Sequence, residues 1–177
     1  MYRYTDEELI EEYRTKKGDR RRKAFDRLYV RHVDPLRHYF FFTLGRDQEK
    51  ARDFAHDLFI KLLESPEKFD TDKPFKPWVF RVASNMCKNE FRRLEVVGKY
   101  QAQLRENESK EAELNEKESW LHECIRRLDS EYRSLIVLRF KIKLSIREMA
   151  AIYECPEGTI KSRLFYATRE LSRYYKE

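Results

Sequence analysis

Tight chain reversal needs residues that tolerate unusual backbone angles, and 177 residues here include only four glycines and five prolines. So few punctuating residues predict a mostly helical chain with few sharp turns. Hydrophobic spacing agrees. Thr5 and Glu8 form a capping-box pattern that opens a first helix, which ends near the turn-like stretch at residues 16–19. Phe25, Leu28, Tyr29, His32, Leu36, Tyr39 and Phe40 line one side of a second helix. Pro35 is expected to bend or break it. A third helix from about Asp47 carries Phe54, Leu58 and Leu62 in phase, with Asp53 and Asp57 outside, and stops at the polar loop "ESPEKFDTDKP". The fourth runs from about Pro77 to about Arg93. On it Val79, Val82, Ala83 and Met86 share one face, while Arg81, Ser84, Asn85, Lys88 and Arg92 share the other. One side is built to pack; the other offers cations and amides.

Charge divides the chain into three. The net charge is +6 overall, but residues 1–94 carry +5, residues 95–118 carry −3 and residues 119–177 carry +4. Two basic blocks suit a polyanionic partner. The acidic stretch between them has almost no apolar period and reads as a linker. Three scattered cysteines, Cys87, Cys124 and Cys155, do not make a disulfide framework. No apolar run reaches membrane-span length and the N-terminus has no signal-peptide core, so a cytoplasmic protein without membrane insertion is expected.

Beyond the linker, Leu121, Cys124, Ile125 and Leu128 resume the period, and a helix capped by Asp129 or Ser130 follows. Ser145 and Glu148 form a second capping box, opening a short helix through Ile152 or Tyr153. The turn "ECPEG" then leads into a longer helix, the grammar of a helix-turn-helix. In that helix Ile160, Leu164, Ala167 and Leu171 share the packing face, opposite Ser162, Phe165 and Arg169. Gly158, Thr159, Lys161, Ser162 and Arg163 supply what a helix entering a DNA groove needs: small residues and free amides near phosphate, with cations beside them. A surface helix whose charges are merely solvated would show a similar face.

Two blocks of sequence narrow the choice. The run "LSIREMAAIYECPEGTIKSRL", preceded by "LDSEYRSLIVLRF" and followed by "ATREL", resembles the C-terminal domain of extracytoplasmic-function (ECF) sigma factors, a group of the sigma-70 family. The run "ARDFAHDLFIKLLESPEKFDTDKPFKPWVFRVASNMCKNEFRR" resembles the sigma domain that binds polymerase and opens the −10 element. The resemblance covers nearly the whole chain outside the acidic segment. It implies an all-α protein of two small helical domains, residues 1–94 and 119–177, joined by the linker 95–118, the second domain being the helix-turn-helix.

It also implies roles. The long C-terminal helix would read the −35 element in the major groove through Thr159, Lys161, Ser162, Arg163, Phe165, Tyr166 and Arg169. Trp78, Arg81, Asn85, Lys88 and Arg92 would face the −10 element and its melted strand, and the loop at residues 65–74 would hold a flipped base. Asp53, His56, Asp57, Phe59 and Lys61 would dock on the clamp helices of the polymerase's largest subunit, with the flap as a further polymerase contact. His56 and Asp57 stand where the family usually has glutamine and glutamate, and Tyr166 where an arginine is common. In this group the linker threads the polymerase channels, where its glutamates could imitate RNA. An anti-sigma factor is a further implied partner, and the free protein is expected to be a monomer.

The composition offers little to an enzyme. No glycine-rich phosphate loop, metal-ligand spacing or nucleophile motif is present, and His32 with His38, or His122 with Cys124, make poor ligand sets. No catalytic residue, metal or cofactor is expected. The competing reading is a stand-alone helix-turn-helix regulator that binds duplex DNA without polymerase.

Overall fold

The computed structural model describes residues 4–96 and 116–176. Among the described residues the chain is helical and has no strand. Helices α1 (Asp6–Thr15), α2 (Gly18–Thr43), α3 (Gln48–Glu64) and α4 (Phe75–Val96) form the first half, with one 3₁₀ turn, Pro66–Lys68, in the loop before α4. Helices α5 (Glu116–Arg127), α6 (Ser130–Ile136), α7 (Ile146–Tyr153) and α8 (Glu157–Lys176) form the second. The stretch Val137–Lys141 prolongs α6 as a π-helical turn. Most of the acidic segment at 95–118 lies outside the described residues.

Helix starts follow the local chemistry. The Thr5 hydroxyl accepts from the Glu8 amide at 3.2 Å while the Glu8 carboxylate accepts from the Thr5 amide at 2.7 Å. Ser145 and Glu148 repeat this at α7, with 3.1 and 2.8 Å. Asp47 and Asp129 cap α3 and α6 by accepting from the amides of Lys50 and Glu131. The turn between α7 and α8 passes through Glu154 at φ 50.

Two expectations need correction. Of the bend or break expected at Pro35, the break is absent: α2 runs unbroken from Gly18 to Thr43. Proline inside a helix costs about 3 kcal/mol, but Leu28, Leu36, Tyr39 and Phe40, all at most 2% exposed, bury at about 1.5–3 kcal/mol each along one stripe that a break would misalign. Ser84, expected on the open face of α4, is buried. The buried arc of α4 spans Val79, Phe80, Ala83, Ser84, Cys87 and Phe91, because the helix packs against α1, α2 and α3 and also against α6 and α7.

That second contact joins the halves. Leu28, Tyr39, Phe59 and Phe80 belong to one continuous apolar cluster with Leu135, Leu138, Met149, Ile152 and Ile160. Hydroxyls sit inside it: Ser134 Oγ lies 2.7 Å from the Tyr39 hydroxyl, 2.9 Å from the Tyr153 hydroxyl and 3.5 Å from Ser84 Oγ. Arg133, also buried, reaches the Thr43 carbonyl at the C-terminal end of α2, donates to the Arg126 and Leu128 carbonyls, and sits 5.0 Å from the Phe91 ring centre. A cation at a helix C-terminus is favoured by the backbone dipole.

Candidate nucleic-acid interface

Helix α8 buries Ile160, Leu164 and Ala167 against the rest of the second half. That registers the opposite side outward. Lys161, Ser162, Phe165, Tyr166 and Arg169 are exposed, Phe165 at 62% and Tyr166 at 53%, with their rings edge to face 5.6 Å apart. Two large aromatics left in water beside cations suit base edges and sugar faces. Tyr166, Arg169, Arg173 and Lys176 share a groove of about 660 Å³ with Tyr132. Thr159 is half-buried. Arg163 is already engaged, 2.6 Å from Glu131 of α6.

Helix α4 presents its expected residues less freely. Asn85 and Arg92 are exposed. Arg81 is ion-paired with Glu154 at the end of α7, and Lys88 Nζ lies 5.8 Å from the Tyr153 ring centre. Lys76 pairs with Glu148 of α7 at 2.7 Å. Burial raises the Glu148 carboxyl, but Lys76 and the Ser145 amide and hydroxyl outweigh it and hold the group below its usual range. The first helix of the helix-turn-helix therefore lies over part of the face that the sequence assigns to the −10 strand. Trp78 is half-buried, packed at 5.2 Å on Phe69 and 5.7 Å on Phe75, so it forms the wall behind the 65–74 loop.

Helix α3 meets only α2, α4 and the 3₁₀ turn among the described residues, and its outer side stays open. Asp53, His56, Asp57 and Lys61 are exposed on it, His56 Nε2 sharing a 2.9 Å hydrogen bond with the Tyr29 hydroxyl. Ile60, half in water at 48%, adds an apolar point that the sequence reading passed over. Phe59 is 2% exposed, its ring 4.8 Å from that of Tyr29, and supports this surface from beneath.

The remaining titratable groups serve packing. His32 Nε2 lies 2.7 Å from Asp6, whose carboxyl is raised by burial but brought below its usual value overall by His32 and Arg31. His122 stacks on Phe42 at 5.5 Å, and burial, with Arg46 and Lys141 nearby, lowers its pKa to about 4, leaving the ring neutral at pH 7. Burial pushes the Cys87 thiol far up, out of thiolate chemistry, and Tyr153 up to about 12. Sequence reasoning missed the Ser134 hydroxyl cluster and Arg133. Both sit in windows that read as plain amphipathic helix, and part of their partner sets, Tyr39 and Ser84 for Ser134 and the Thr43 carbonyl for Arg133, comes from the other half of the chain.

Comparison with known proteins places this geometry. The family model for sigma-70 region 2 matches residues 28–96, and that for sigma-70 region 4 matches residues 118–171. The chain is similar to the RNA polymerase sigma-H factor of Pseudomonas aeruginosa, 30% identical over 95% of this chain and 92% of that protein. It is also similar to the ECF RNA polymerase sigma-E factors of Haemophilus influenzae, 30% identical over 92% of this chain and 91% of that one, and Escherichia coli, 31% over 92% and 90%. In fold it resembles CnrH, solved in complex with the cytosolic domain of CnrY, with a TM-score of 0.68, 23% identity and 95% of each chain covered. The sigma factor RpoE of Bartonella quintana, solved with the anti-sigma factor NepR, gives a TM-score of 0.62 at 22% identity over 87% of this chain and 98% of that one. Among the described residues no helix is long and apolar enough to cross a membrane.

Proposed function

The chain belongs to the ECF group of RNA polymerase sigma factors in the sigma-70 family, and from that premise we propose that it binds core RNA polymerase and directs it to promoters carrying −10 and −35 elements. The observation that carries this reading is the exposed face of α8, where Lys161, Ser162, Phe165, Tyr166 and Arg169 stand clear of the protein's own packing. Cations engage phosphates, and the hydroxyl and aromatic groups meet base edges in the −35 major groove. Thr159 and Arg163 flank that contact from the first turns of the helix.

Residues 1–94 then form the polymerase-binding and −10 domain, residues 119–177 the −35 domain, and 95–118 an acidic linker between them. The open side of α3, with Asp53, His56, Asp57 and Lys61 over buried Phe59, faces the clamp helices, and the second domain meets the flap. Trp78, Arg81, Asn85, Lys88 and Arg92 serve the −10 strand. Arg81 and Lys88 are fully freed only when Glu154 and Tyr153 move away, whereas α3 and α8 are open in the closed arrangement. Polymerase binding can therefore precede exposure of the −10 face. The binding energy of phosphates, base edges and a flipped nucleotide offsets local melting, and no reaction is assigned to the chain. An anti-sigma factor, a monomeric free state and a cytoplasmic setting complete the reading.

Run-off transcription of fragmented genomic DNA by core polymerase, with and without this protein, tests it. New RNA 5′ ends sharing paired upstream elements are expected. Binding to a duplex site without polymerase, and no new start with it, would mark a stand-alone regulator instead.

A further inference from the structure

The most concentrated charge on the chain lies outside every surface assigned so far. Residues 16–23, "KKGDRRRK", hold six cations, Lys16, Lys17, Arg20, Arg21, Arg22 and Lys23, against the single acid Asp19. All are exposed, across the α1–α2 turn and the first turns of α2. Among the described residues only Arg21 and Arg22 of these six meet a partner. Arg22 lies 3.9 Å from Asp26, with both side chains mostly in water, which is worth little.

Lys16 and Lys17 follow the C-terminal end of α1, where the dipole favours cations, but Arg20, Arg22 and Lys23 lie in the first turns of α2, where it does not. The start of a helix carries the positive end of the backbone dipole, so basic side chains at that end destabilise the helix. Lys17, at the N-cap, makes no side-chain capping bond, and in the first turn of α2 Asp19 alone offsets the positive character of the free amides. Gly18, at φ +57, has open space where a side chain would stand, which lets a ligand approach the backbone. A surface that works against its own helix is explained by an anion that binds it.

Position identifies the anion. Arg21 lies 4.4 Å from the Tyr13 ring centre and donates to the Tyr13 hydroxyl at 3.0 Å. That hydroxyl donates to the Leu63 carbonyl at 3.4 Å, at the entrance to the 65–74 loop, and Arg14 of α1 binds the Pro66 and Phe69 carbonyls within the loop. The basic turn is thus fastened beside the loop proposed to take the flipped −10 base. The loop itself is net acidic, with Glu67, Asp70 and Asp72 against Lys68 and Lys73, and cannot hold a phosphate backbone by its own charge.

We propose that the turn at residues 16–23 binds the sugar–phosphate backbone of promoter DNA adjoining the −10 element. The inference rests on the sigma-factor reading and adds a DNA contact to it. Its test uses holoenzyme on a promoter mapped by run-off transcription, comparing wild type with the triple variant Arg20→Ala, Arg22→Ala, Lys23→Ala. Each neutralised phosphate contributes about 0.9 to the slope of log affinity against log salt on duplex and about 0.7 on single strands. The slope is expected to fall by about 2 to 3, promoter affinity about tenfold or more at moderate salt, and core-polymerase affinity not at all. The melting temperature of the variant should stay level or rise, since it loses cations that oppose the helix dipole. A photo-crosslinker at position 20 should label DNA within a few nucleotides of the −10 element.

An unchanged salt slope overturns the proposal, as does crosslinking to a polymerase subunit with weakened core binding, which would make this a protein-docking patch. Either result leaves the sigma-factor reading intact provided the wild-type holoenzyme still starts at the mapped promoter. Absence of that start would instead remove the reading itself.

Discussion

Lys143 shows how a single residue can work against its fold. It sits at φ 60, in the left-handed region, just after the π-helical turn, with its side chain in water. A residue with a Cβ is strained there by about 1–2 kcal/mol, so Lys143→Gly should raise the denaturation midpoint by about 1 kcal/mol of stability. A lowered midpoint would mean that the lysine side chain contributes something the strain does not reveal. Glu90 is the opposite case. Arg93 binds both its oxygens at 2.8 and 2.9 Å and Lys50 of α3 reaches it at 2.8 Å. The Arg93 hydrogen bonds lead, burial opposes and Lys50 adds, so its pKa falls from 4.5 to about 2. A depressed folded pKa means that this stabilisation is complete above about 4.5 and disappears as pH drops through about 2. Glu90→Gln should destabilise the protein by about 1–2 kcal/mol at neutral pH and flatten the acid limb of a pH–stability profile. An unaltered acid limb would place the acid sensitivity elsewhere.

At the level of elements, α8 was the most legible part of the chain. A packing face of Ile160, Leu164 and Ala167, set against α5, α6 and α7, dictates which residues stand outside. Its cations nevertheless differ in a way that spacing does not reveal. Lys161 is exposed, whereas Arg163 is held 2.6 Å from Glu131. Lys161→Ala should lower the salt slope of holoenzyme–promoter binding by about 1. Arg163→Ala should lower it less and instead loosen α8 from α6, read as a drop in melting temperature. Equal slope losses for the two would show that Arg163 leaves Glu131 for phosphate in the complex. For α2 the local rule overstated the break: a proline at position 35 outweighs its neighbours in a sequence window, but does not end the helix once a full apolar stripe is buried.

At the scale of the whole molecule, the two halves are joined among the described residues by the continuous apolar cluster, a satisfied buried hydroxyl cluster, a buried arginine and the ion pairs Lys76–Glu148 and Arg81–Glu154. Ser134→Ala removes the common partner of Tyr39, Tyr153 and Ser84 and should weaken the contact by about 1–3 kcal/mol, the penalty for unpaired buried hydroxyls. Hydrogen exchange along α4 should then speed up around Ser84 and Lys88, with a larger radius of gyration in solution scattering. If α4 stays as protected as in wild type, the apolar cluster alone keeps the halves closed.

What the sequence determined by itself follows from local physics. Helical period, capping boxes at Thr5 and Ser145, the turn before α8 and the two motif blocks were enough for an all-helical chain, its helix-turn-helix and its family, because each depends on residues a few positions apart. Only the tertiary structure decided that Ser84 is covered, that Arg81 and Lys88 are partly engaged by α7 and the residue after it, that Phe59 lies beneath its surface and that Ser134 and Arg133 find partners in the other half. A helical wheel tells which side of α4 is apolar. It does not tell that a second set of helices, some 50 residues further along the chain, closes over the other side.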